Sequence, residues 1–572
     1  MNRKLHKILA LLLSLVLTLG CLTACGGSEE TDESLAEIEI PTAPTNQVSE
    51  DDWLPFVGDD EEVSLTIGLV GKANVPNYET NAYTLMLEEL SGIDIKFQYF
   101  TGSSVDAMTQ FSLMAAAGEP LPDMLWGLGS VSTQTVFEFG QDGYLVDMKP
   151  YFEQYGHYFW QSYNKLSERE QEIIFTLGTD PVSGGMYGFP LFTQPMNDQW
   201  NCMYSINQEW LDALSLEAPD TVDELYEVLK AFKEGDPNGN GKADEIPMVG
   251  RFGDAGNDPT CYITNGFVYF NPHYLLNVDN GELWAPFTTE EYRQAMIYIR
   301  KLVDEGLLSD LSFSIATDAE IMALATPSSG PAITGVFSGH PMLVCEVGNE
   351  TIREYTGLSA LQGQSEKGGY TVYTDPVPNF TCFITEDCKN PELAFKLLDL
   401  MCKDEVITTM RWGVKDVDWV EDTGTSIMGT ESHIKVLNNA IWSTGNQNWH
   451  GNGIGIMTYD NYTPILRQDD SWGSARDTLM SSVKENADKG KEKTERMTKM
   501  AYTADEAEII AELEGPLKGY MNRARALFAT GEMDPSDDGD WQEYLDTLEK
   551  SGLSRYIEEM QKIYDRVNST QE

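Results

Sequence analysis

The chain contains 572 residues, with 92 Asp and Glu against 38 Lys and Arg, so its formal net charge is −54. Hydrophobic residues make up 41% and aromatic residues 10%, which is a globular composition and excludes a disordered acidic chain. The acidity also argues against nucleic acid and anionic lipid surfaces as partners, because both are bound mainly by Lys and Arg. The length is sufficient for several domains or two large lobes, each with a real core.

Residues 1–24 have the pattern of an export signal, with a basic start followed by an apolar run of about a dozen residues. That run is too short for a membrane span, which needs about 20 residues. It ends in Leu22-Thr23-Ala24-Cys25, which resembles a bacterial lipobox and predicts lipidation of Cys25 with acyl chains such as palmitate. Cys21 is the competing position, but Thr18 stands where an aliphatic residue is expected. A plain secretory signal with a spare cysteine is the alternative.

Residues 25–60 are rich in Ser, Thr, Glu, Asp and Pro and have no apolar periodicity. Such a segment cannot bury a core, so we predict an acidic, flexible tether. A tether on a lipidated cysteine would hold the folded part just outside the cell membrane. The sequence therefore predicts an exported, membrane-anchored protein whose body is otherwise soluble.

The folded body begins with strands and helices in alternation. Residues 63–70 and 93–100 are β-rich runs, while residues 81–90 and 105–117 have helical apolar spacing. A third short strand follows at residues 123–125. This β-α-β-α-β order requires a parallel sheet covered by helices, so the predicted fold class is α/β.

Eight segments occur in the order that is typical of one known family. They are residues 108–126, 140–156, 186–192, 204–247, 298–310, 383–401, 411–419 and 528–566. Together they resemble the large lipoprotein solute-binding proteins of bacterial ABC importers, of the extracellular sugar-binding type. The resemblance implies a periplasmic-binding-protein-like fold of two α/β lobes, which hold the solute in the cleft between them and close by a hinge motion.

From that resemblance we expect residues 61–190 and 380–435 to form lobe one. Residues 191–379 and 436–568 would form lobe two. The implied function is capture of an oligosaccharide by a monomer, which hands it to ABC permease subunits in the membrane. Three alternatives remain open, which are a peptide receptor of the same fold, a secreted carbohydrate-active enzyme, and a lipoprotein adhesin or sensor component that binds another protein.

Residues 236–247 (DPNGNGKADEIP) form the sharpest local motif, because oxygen-bearing side chains recur at the spacing of a calcium-binding loop. Gly241 stands where such a loop turns sharply, and Pro247 replaces the usual glutamate at position 12. The resembled family uses a shortened loop, closed by a carboxylate directly after position 9. The expected ligands of a structural Ca²⁺ are Asp236, Asn238, Asn240, the Lys242 carbonyl, Asp244 and Glu245. An acidic turn without metal is the alternative.

No catalytic motif is present in the sequence. There is no HExxH, no GxSxG and no Walker-type phosphate loop, and acidic pairs are too common in this chain to indicate a glycosidase. We therefore expect a binding protein with no catalytic residues.

Sugar recognition relies on aromatic rings that stack on apolar sugar faces and on planar polar groups that bind hydroxyls. In open α/β sheets the ligand lies beyond the carboxyl ends of strands, which favours aromatic residues that follow predicted strands or crossovers. The candidate ligand-binding residues are Trp126, Trp200, Phe337, His340, Trp412, Trp442 and Trp449. For each tryptophan, packing in the core is the alternative.

Overall fold

The structure of the chain is a computed structural model. It describes residues 40–44, 53–58, 61–128, 131–194, 203–254, 257–340, 344–346, 348–363, 365–372, 376–438, 441, 443–449, 454–467 and 472–569. Cys25, Trp200 and Trp442 lie outside these residues, and so does the predicted signal segment.

The described strands are β1 (Ser64–Val70), β2 (Asp94–Phe100), β3 (Met124–Trp126), β4 (Phe189–Thr193), β5 (Tyr204–Asn207), β6 (Ile246–Val249), β7 (Asn277–Asp279), β8 (Glu282–Trp284), β9 (Thr334–Ser338), β10 (Tyr355–Gly357), β11 (Asn379–Ile384), β12 (Trp419–Thr425), β13 (Glu431–Val436) and β14 (Gly455–Met457). The described α-helices are α1 (Ala82–Ser91), α2 (Ser104–Ala117), α3 (Thr133–Gln141), α4 (Lys149–Tyr155), α5 (Tyr158–Tyr163), α6 (Glu168–Gly178), α7 (Gln208–Leu214), α8 (Val222–Glu234), α9 (Pro259–Asn265), α10 (Glu290–Asp304), α11 (Asp318–Ala325), α12 (Pro391–Leu400), α13 (Asp404–Trp412), α14 (Tyr459–Tyr462), α15 (Trp472–Ala487), α16 (Ala504–Thr530), α17 (Asp538–Lys550) and α18 (Leu553–Ser569).

A six-stranded sheet forms the centre of the first lobe, in the order β14-β4-β11-β3-β1-β2. Strand β1 runs parallel to β2 and β3, while β11 runs antiparallel to β3 and β4. The predicted β-α-β-α-β start is confirmed, since β1, α1, β2, α2 and β3 begin and end within one residue of the predicted bounds. Leu65, Ile67 and Leu69 are buried because alternate residues of β1 face the same covering helices.

A four-stranded sheet, in the order β10-β5-β9-β6, forms the centre of the second lobe. Strand β9 runs antiparallel to β5 and parallel to β6. Ile206, Met248 and Val336 pack from these strands into a core that also includes Phe232 of α8. Each sheet therefore has its own hydrophobic core, and the predicted two-lobed α/β fold is confirmed.

The sheets divide the chain differently from the predicted lobe ranges at two places. Strand β4 extends to Thr193, beyond the predicted end of lobe one at residue 190. Strand β14 lies within the range predicted for lobe two, yet Gly455–Met457 pairs in parallel with β4 of the first sheet. The physical reason is that β4 presents a free edge, and three residues are enough to satisfy its backbone groups.

The predicted tether ends earlier than residue 60. The backbone N–H groups of Phe56 and Val57 donate to the Ser91 carbonyl at 2.9 and 3.2 Å, and Val57 is 4% exposed. The Trp53 ring lies 5.4 Å from that of His157. These apolar side chains have no helical or strand periodicity, but together they are sufficient to dock residues 53–57 on the first lobe.

None of the helices in the described ranges is long and apolar enough to cross a membrane. The described cysteines are buried, and none of them takes part in a disulfide. They are Cys261, Cys345, Cys382, Cys388 and Cys402.

Candidate ligand-binding site

Two of the predicted tryptophans meet at the carboxyl end of β3. Trp126 is the last residue of that strand, and its ring contacts Trp449 edge to face, with the centroids 5.0 Å apart. The Trp449 indole N–H donates to Thr84 Oγ1 at 2.8 Å. Only 6% of Trp126 and 3% of Trp449 is exposed. In this conformation both rings are therefore packed in the first lobe and do not present an open face.

Trp412 is the last residue of α13. Its indole N–H donates to the Tyr462 carbonyl at 2.9 Å. The neighbouring Arg411 guanidinium lies 4.7 Å from the centroid of the Tyr462 ring and 5.2 Å from that of Trp412. The Asn448 amide approaches the Arg411 carbonyl at 3.5 Å, which connects this group to the segment that carries Trp449.

The second lobe contributes residues from the end of β9. Phe337 is fully buried and packs against Tyr355 at 4.9 Å, so it belongs to the core of that lobe. His340 follows the strand and is partly buried. Burial, followed by the positive charges of Arg476 and Arg411, lowers the pKa of His340 to about 4, so its imidazole is neutral at pH 7.

Arg476 belongs to a buried group of charges on and before α15. Asp477 is 1% exposed and accepts from Arg467 Nε at 2.6 Å and from Arg467 Nη2 at 2.8 Å. The same carboxylate accepts from Arg476 Nη2 at 2.9 Å. The charge of Arg476 also acts on Arg411, and burial lowers the pKa of both arginines. We call Arg411, Arg467, Arg476 and Asp477 the arginine cluster.

Charged side chains of the first lobe therefore act on a residue of the second, since Arg411 helps to lower the pKa of His340. His340 follows a strand of the second sheet, while Arg411 lies on a helix that packs on the first lobe. Arg467, Arg476 and Tyr462 were not among the predicted residues, because isolated arginines and tyrosines have no characteristic spacing. The only sequence signal was the dipeptide formed by Arg411 with Trp412.

A separate groove of about 830 Å³ lies on the first lobe, next to the β12–β13 hairpin. His157, Asp404 and His433 are among the residues that line it. None of the predicted ligand-binding residues lies there, so this groove is distinct from the candidate site.

The predicted calcium loop follows α8, and its polar side chains turn toward the inside of the loop. The Asn240 backbone N–H is within hydrogen-bond distance of Asp236 Oδ1 at 3.1 Å and of Asn238 Oδ1 at 3.0 Å. The backbone N–H of Gly241 donates to Asp236 Oδ2 at 3.1 Å, and that of Lys242 to Asn240 Oδ1 at 2.8 Å. Gly241 has a φ of +74°, which a residue without a side chain adopts at little cost.

Glu245 closes the loop with an oxygen that lacks a partner. Its Oε1 atom is buried and accepts no hydrogen bond, and burial, followed by the charges of Asp244 and Asp236, raises its pKa. Within the described residues no three His, Cys, Asp or Glu side chains group as around a metal ion. The oxygen set of this loop instead combines carboxylates with amides and a backbone carbonyl. A buried carboxylate oxygen without a partner, beside other oxygen groups of the loop, fits a hard cation such as Ca²⁺.

Residues 77–335 match the family model described as bacterial extracellular solute-binding protein. Three curated relatives are similar over larger or smaller parts of the chain. The fructooligosaccharide ABC transporter substrate-binding protein FusA of Streptococcus pneumoniae serotype 4 is 24% identical over 84% of this chain and 86% of its own length. Lipoprotein LipO of Bacillus subtilis is 32% identical over 39% of this chain and 40% of its own. The polygalacturonan/rhamnogalacturonan-binding protein YtcQ of B. subtilis is 25% identical over 58% and 62%.

Solved structures of FusA share this fold. FusA in complex with kestose has a TM-score of 0.68 and 23% identity, over 88% of this chain and 99% of that chain. An EF-hand mutant of FusA in complex with fructo-nystose has the same TM-score and coverage. The fold, the order of the family segments and the match over residues 77–335 agree with one another. Residues 77–335 are therefore similar to the bacterial extracellular solute-binding proteins, and the chain shares the fold of FusA.

Proposed function

We propose that this chain is the membrane-anchored solute receptor of an ABC importer and that its solute is an oligosaccharide. The observation that carries this proposal is the two-lobed fold shared with FusA, in which the charge of Arg411 on the first lobe acts on His340 of the second, because a solute held between two lobes must be contacted from both. FusA, whose name states a fructooligosaccharide, supports a sugar as the solute class. The mechanism is binding followed by closure of the lobes, with no covalent step.

Addition of the right oligosaccharide should raise the unfolding temperature of the protein. A ligand at about a hundred times its dissociation constant adds roughly 2.7 kcal/mol to the free energy of unfolding. A thermal-shift screen of the chain from residue 26, against an oligosaccharide panel in the presence of Ca²⁺, measures this directly.

Three outcomes of that screen separate the candidate functions. A shift with the glycan recovered intact supports the receptor. A shift with peptides alone would favour the peptide-binding alternative, and a shortened glycan would indicate a carbohydrate-active enzyme.

The membrane anchor is the second part of the proposal. The pattern that ends in Cys25 supports lipidation at that residue, and LipO is named as a lipoprotein. Replacement of Cys25 by serine should release the protein from the membrane fraction into the medium, because one thiol accepts the lipid. An equal amount of membrane-bound protein in Cys25→Ser and in the unchanged chain, after cell fractionation, would contradict lipid anchoring at this position.

The third part is a structural Ca²⁺ in the loop 236–245. Asp236, Asn238, Asn240, the Lys242 carbonyl, Asp244 and Glu245 would hold the ion. It would neutralise the carboxylates and supply the partner that Glu245 Oε1 lacks. The EF-hand mutant of FusA supports this interpretation of the loop.

Removal of Ca²⁺ by a chelator should therefore lower the unfolding temperature of this protein. Glu245→Gln should remove most of that effect, because a neutral amide binds a hard cation more weakly than a carboxylate. Glu234→Gln is the matched control, since Glu234 ends α8 nearby and is exposed. If the chelator changes neither the unfolding temperature of the unchanged chain nor that of Glu234→Gln, the loop binds no structural metal.

A further inference from the structure

The β12–β13 hairpin extends from the first lobe to the second. At its base, Trp419 and Ile434 are each 3% exposed and belong to one buried cluster with Trp412, the last residue of α13. The Trp419 indole N–H donates to the carbonyl of Gly413, directly after that helix, at 2.8 Å. Since α13 packs on the first lobe, the base of the hairpin is fixed there.

The tip of the hairpin is buried in the second lobe. Ile427 and Met428 are 4% and 5% exposed, and they share a buried cluster with Phe337 of β9 and with the buried face of α15. The other buried residues of this cluster, within the described ranges, lie in the second sheet, beside it or on α15. Helix α15 is itself held to that sheet, because the Gly357 N–H of β10 donates to Ser482 Oγ at 2.8 Å. The tip is therefore fixed to the second lobe.

Between its base and its tip, the hairpin lies beside the chain that connects the lobes. Residues 463–466 follow α14 of the first lobe and lead toward α15 of the second. The Ile465 N–H donates to the Ile434 carbonyl at 2.8 Å. The Leu466 N–H donates to the Thr425 carbonyl at the same distance. Three stretches of chain therefore run side by side from one lobe to the other.

The pairing of β12 with β13 has one irregularity, and it lies between the base and the tip. Glu421 pairs with Ile434. The next pair is Gly424 with Ser432, so β12 has two residues where β13 has one. Such a β-bulge interrupts the ladder and bends the strand locally. The two extra-ladder residues of β12 are exposed, so no packed side chain opposes a change in this bend.

We propose that the β12–β13 hairpin is a strap that limits how far the two lobes open. It is held at both ends and bends at the bulge, but it cannot stretch, because a strand is already extended at about 3.3 Å per residue. Closure of the lobes requires only bending of the strap, whereas opening beyond its length requires the tip to leave its buried cluster. The inference rests on the proposed function, since it concerns closure around a solute.

Removal of the tip tests the strap without any solute. Thr425 pairs with Glu431, so residues 426–430 can be replaced by Asn-Gly, a two-residue turn that suits an antiparallel pair. This change keeps the base and removes Ile427 and Met428. We expect the tip-less variant to have a larger radius of gyration than the unchanged chain in small-angle X-ray scattering, both measured from residue 26 onward.

Point variants separate loss of the strap from damage to the fold. The double variant Ile427→Ser with Met428→Ser keeps the full hairpin but weakens the contact of its tip, so its radius of gyration should also rise. Glu431→Gln is the matched control, because Glu431 lies on the same hairpin with 71% side-chain exposure, and it should leave the radius unchanged. A radius equal to that of the unchanged chain, in tip variants that circular dichroism shows to be folded, would overturn the strap.

The oligosaccharide panel of the thermal-shift screen separates this inference from the proposed function. A larger radius in the tip variants, with no sugar bound by the unchanged chain, would support the strap and overturn the oligosaccharide as solute. An unchanged radius in the tip variants, with a sugar bound by the unchanged chain, would overturn the strap and leave the receptor standing.

Discussion

Replacement of Arg525 by methionine is expected to lower the free energy of unfolding by about 3–5 kcal/mol, the range for removing one partner of a buried ion pair. Arg525 lies on α16 and pairs with Asp258, which precedes α9. Asp258 also accepts from the backbone N–H groups of Gly253 and Thr260, at 2.8 and 2.9 Å. Those bonds keep the carboxylate in place, so in Arg525→Met a charge would remain buried without its countercharge.

This ion pair is connected to the candidate site through the end of β9. The Ser338 hydroxyl at the end of β9 donates to the carbonyl of Asn257, the residue before Asp258. His340 follows two residues after Ser338. Loss of the ion pair should therefore loosen the segment that positions His340, and solute affinity should fall together with stability.

Denaturant unfolding, followed by intrinsic fluorescence, measures the change. Arg523→Met is the matched control, because Arg523 lies on the same helix and is exposed, and it should cost less than about 1 kcal/mol. The double variant Asp258→Asn with Arg525→Met should be less destabilised than the sum of the single variants, since it no longer buries a lone charge. A cost of Arg525→Met no larger than that of Arg523→Met would show that the pair does not stabilise the fold.

The fold was largely predictable from local sequence patterns. The start of the first sheet could be read from alternation in β1 and β2 and from helical spacing in α1 and α2, because these elements carry their own apolar faces. Strand β14 could not be predicted, since its three residues form a strand only when the edge of β4 is available. The docking of residues 53–57 was missed for the same reason, because it depends on a surface contributed by distant residues such as Ser91.

Some residues of the candidate sites could likewise be predicted from the sequence, and others could not. The loop at residues 236–245 was found because all of its oxygen groups lie close together in the sequence. The arginine cluster was missed because Arg411 and Arg476 are 65 positions apart and only the fold brings them together. Asp477 could not be singled out among 92 acidic residues before its bonds to two arginines were seen. The roles of Trp126, Trp412 and Trp449 in ligand binding stay predictions, since all three are packed against neighbours here.

The second large loss of stability is expected on replacement of Asp399, which lies on the buried side of α12. Its carboxylate accepts from the backbone N–H groups of His157, Tyr158 and Phe159, at 3.0, 3.0 and 2.9 Å, where α5 begins. Asp399→Ala would leave these three donors without a partner, and each buried unsatisfied donor costs about 1–3 kcal/mol. We expect a loss of about 3 kcal/mol or more in the free energy of unfolding.

Asp399→Asn should recover part of that loss, because the amide oxygen still accepts. Asp94→Asn is the control, since Asp94 is 55% exposed and pairs with the neighbouring Lys96 on the surface. Equal stability of Asp399→Ala and Asp94→Asn in denaturant unfolding would refute the role assigned to the carboxylate.

The difference in the free energy of unfolding between the unchanged protein and Asp399→Asn should also depend on pH. Burial outweighs the three N–H bonds and raises the pKa of Asp399 to about 7, from an ordinary value of 3.8. Between these two values the folded protein holds a proton that the unfolded chain has released, so this residue contributes stability at low pH that is lost as the pH rises toward 7. The amide side chain of the Asp399→Asn variant cannot titrate. The unchanged protein should therefore lose stability relative to Asp399→Asn between pH 4 and 7, and a constant difference across that range would mean that the carboxylate stays ionised throughout.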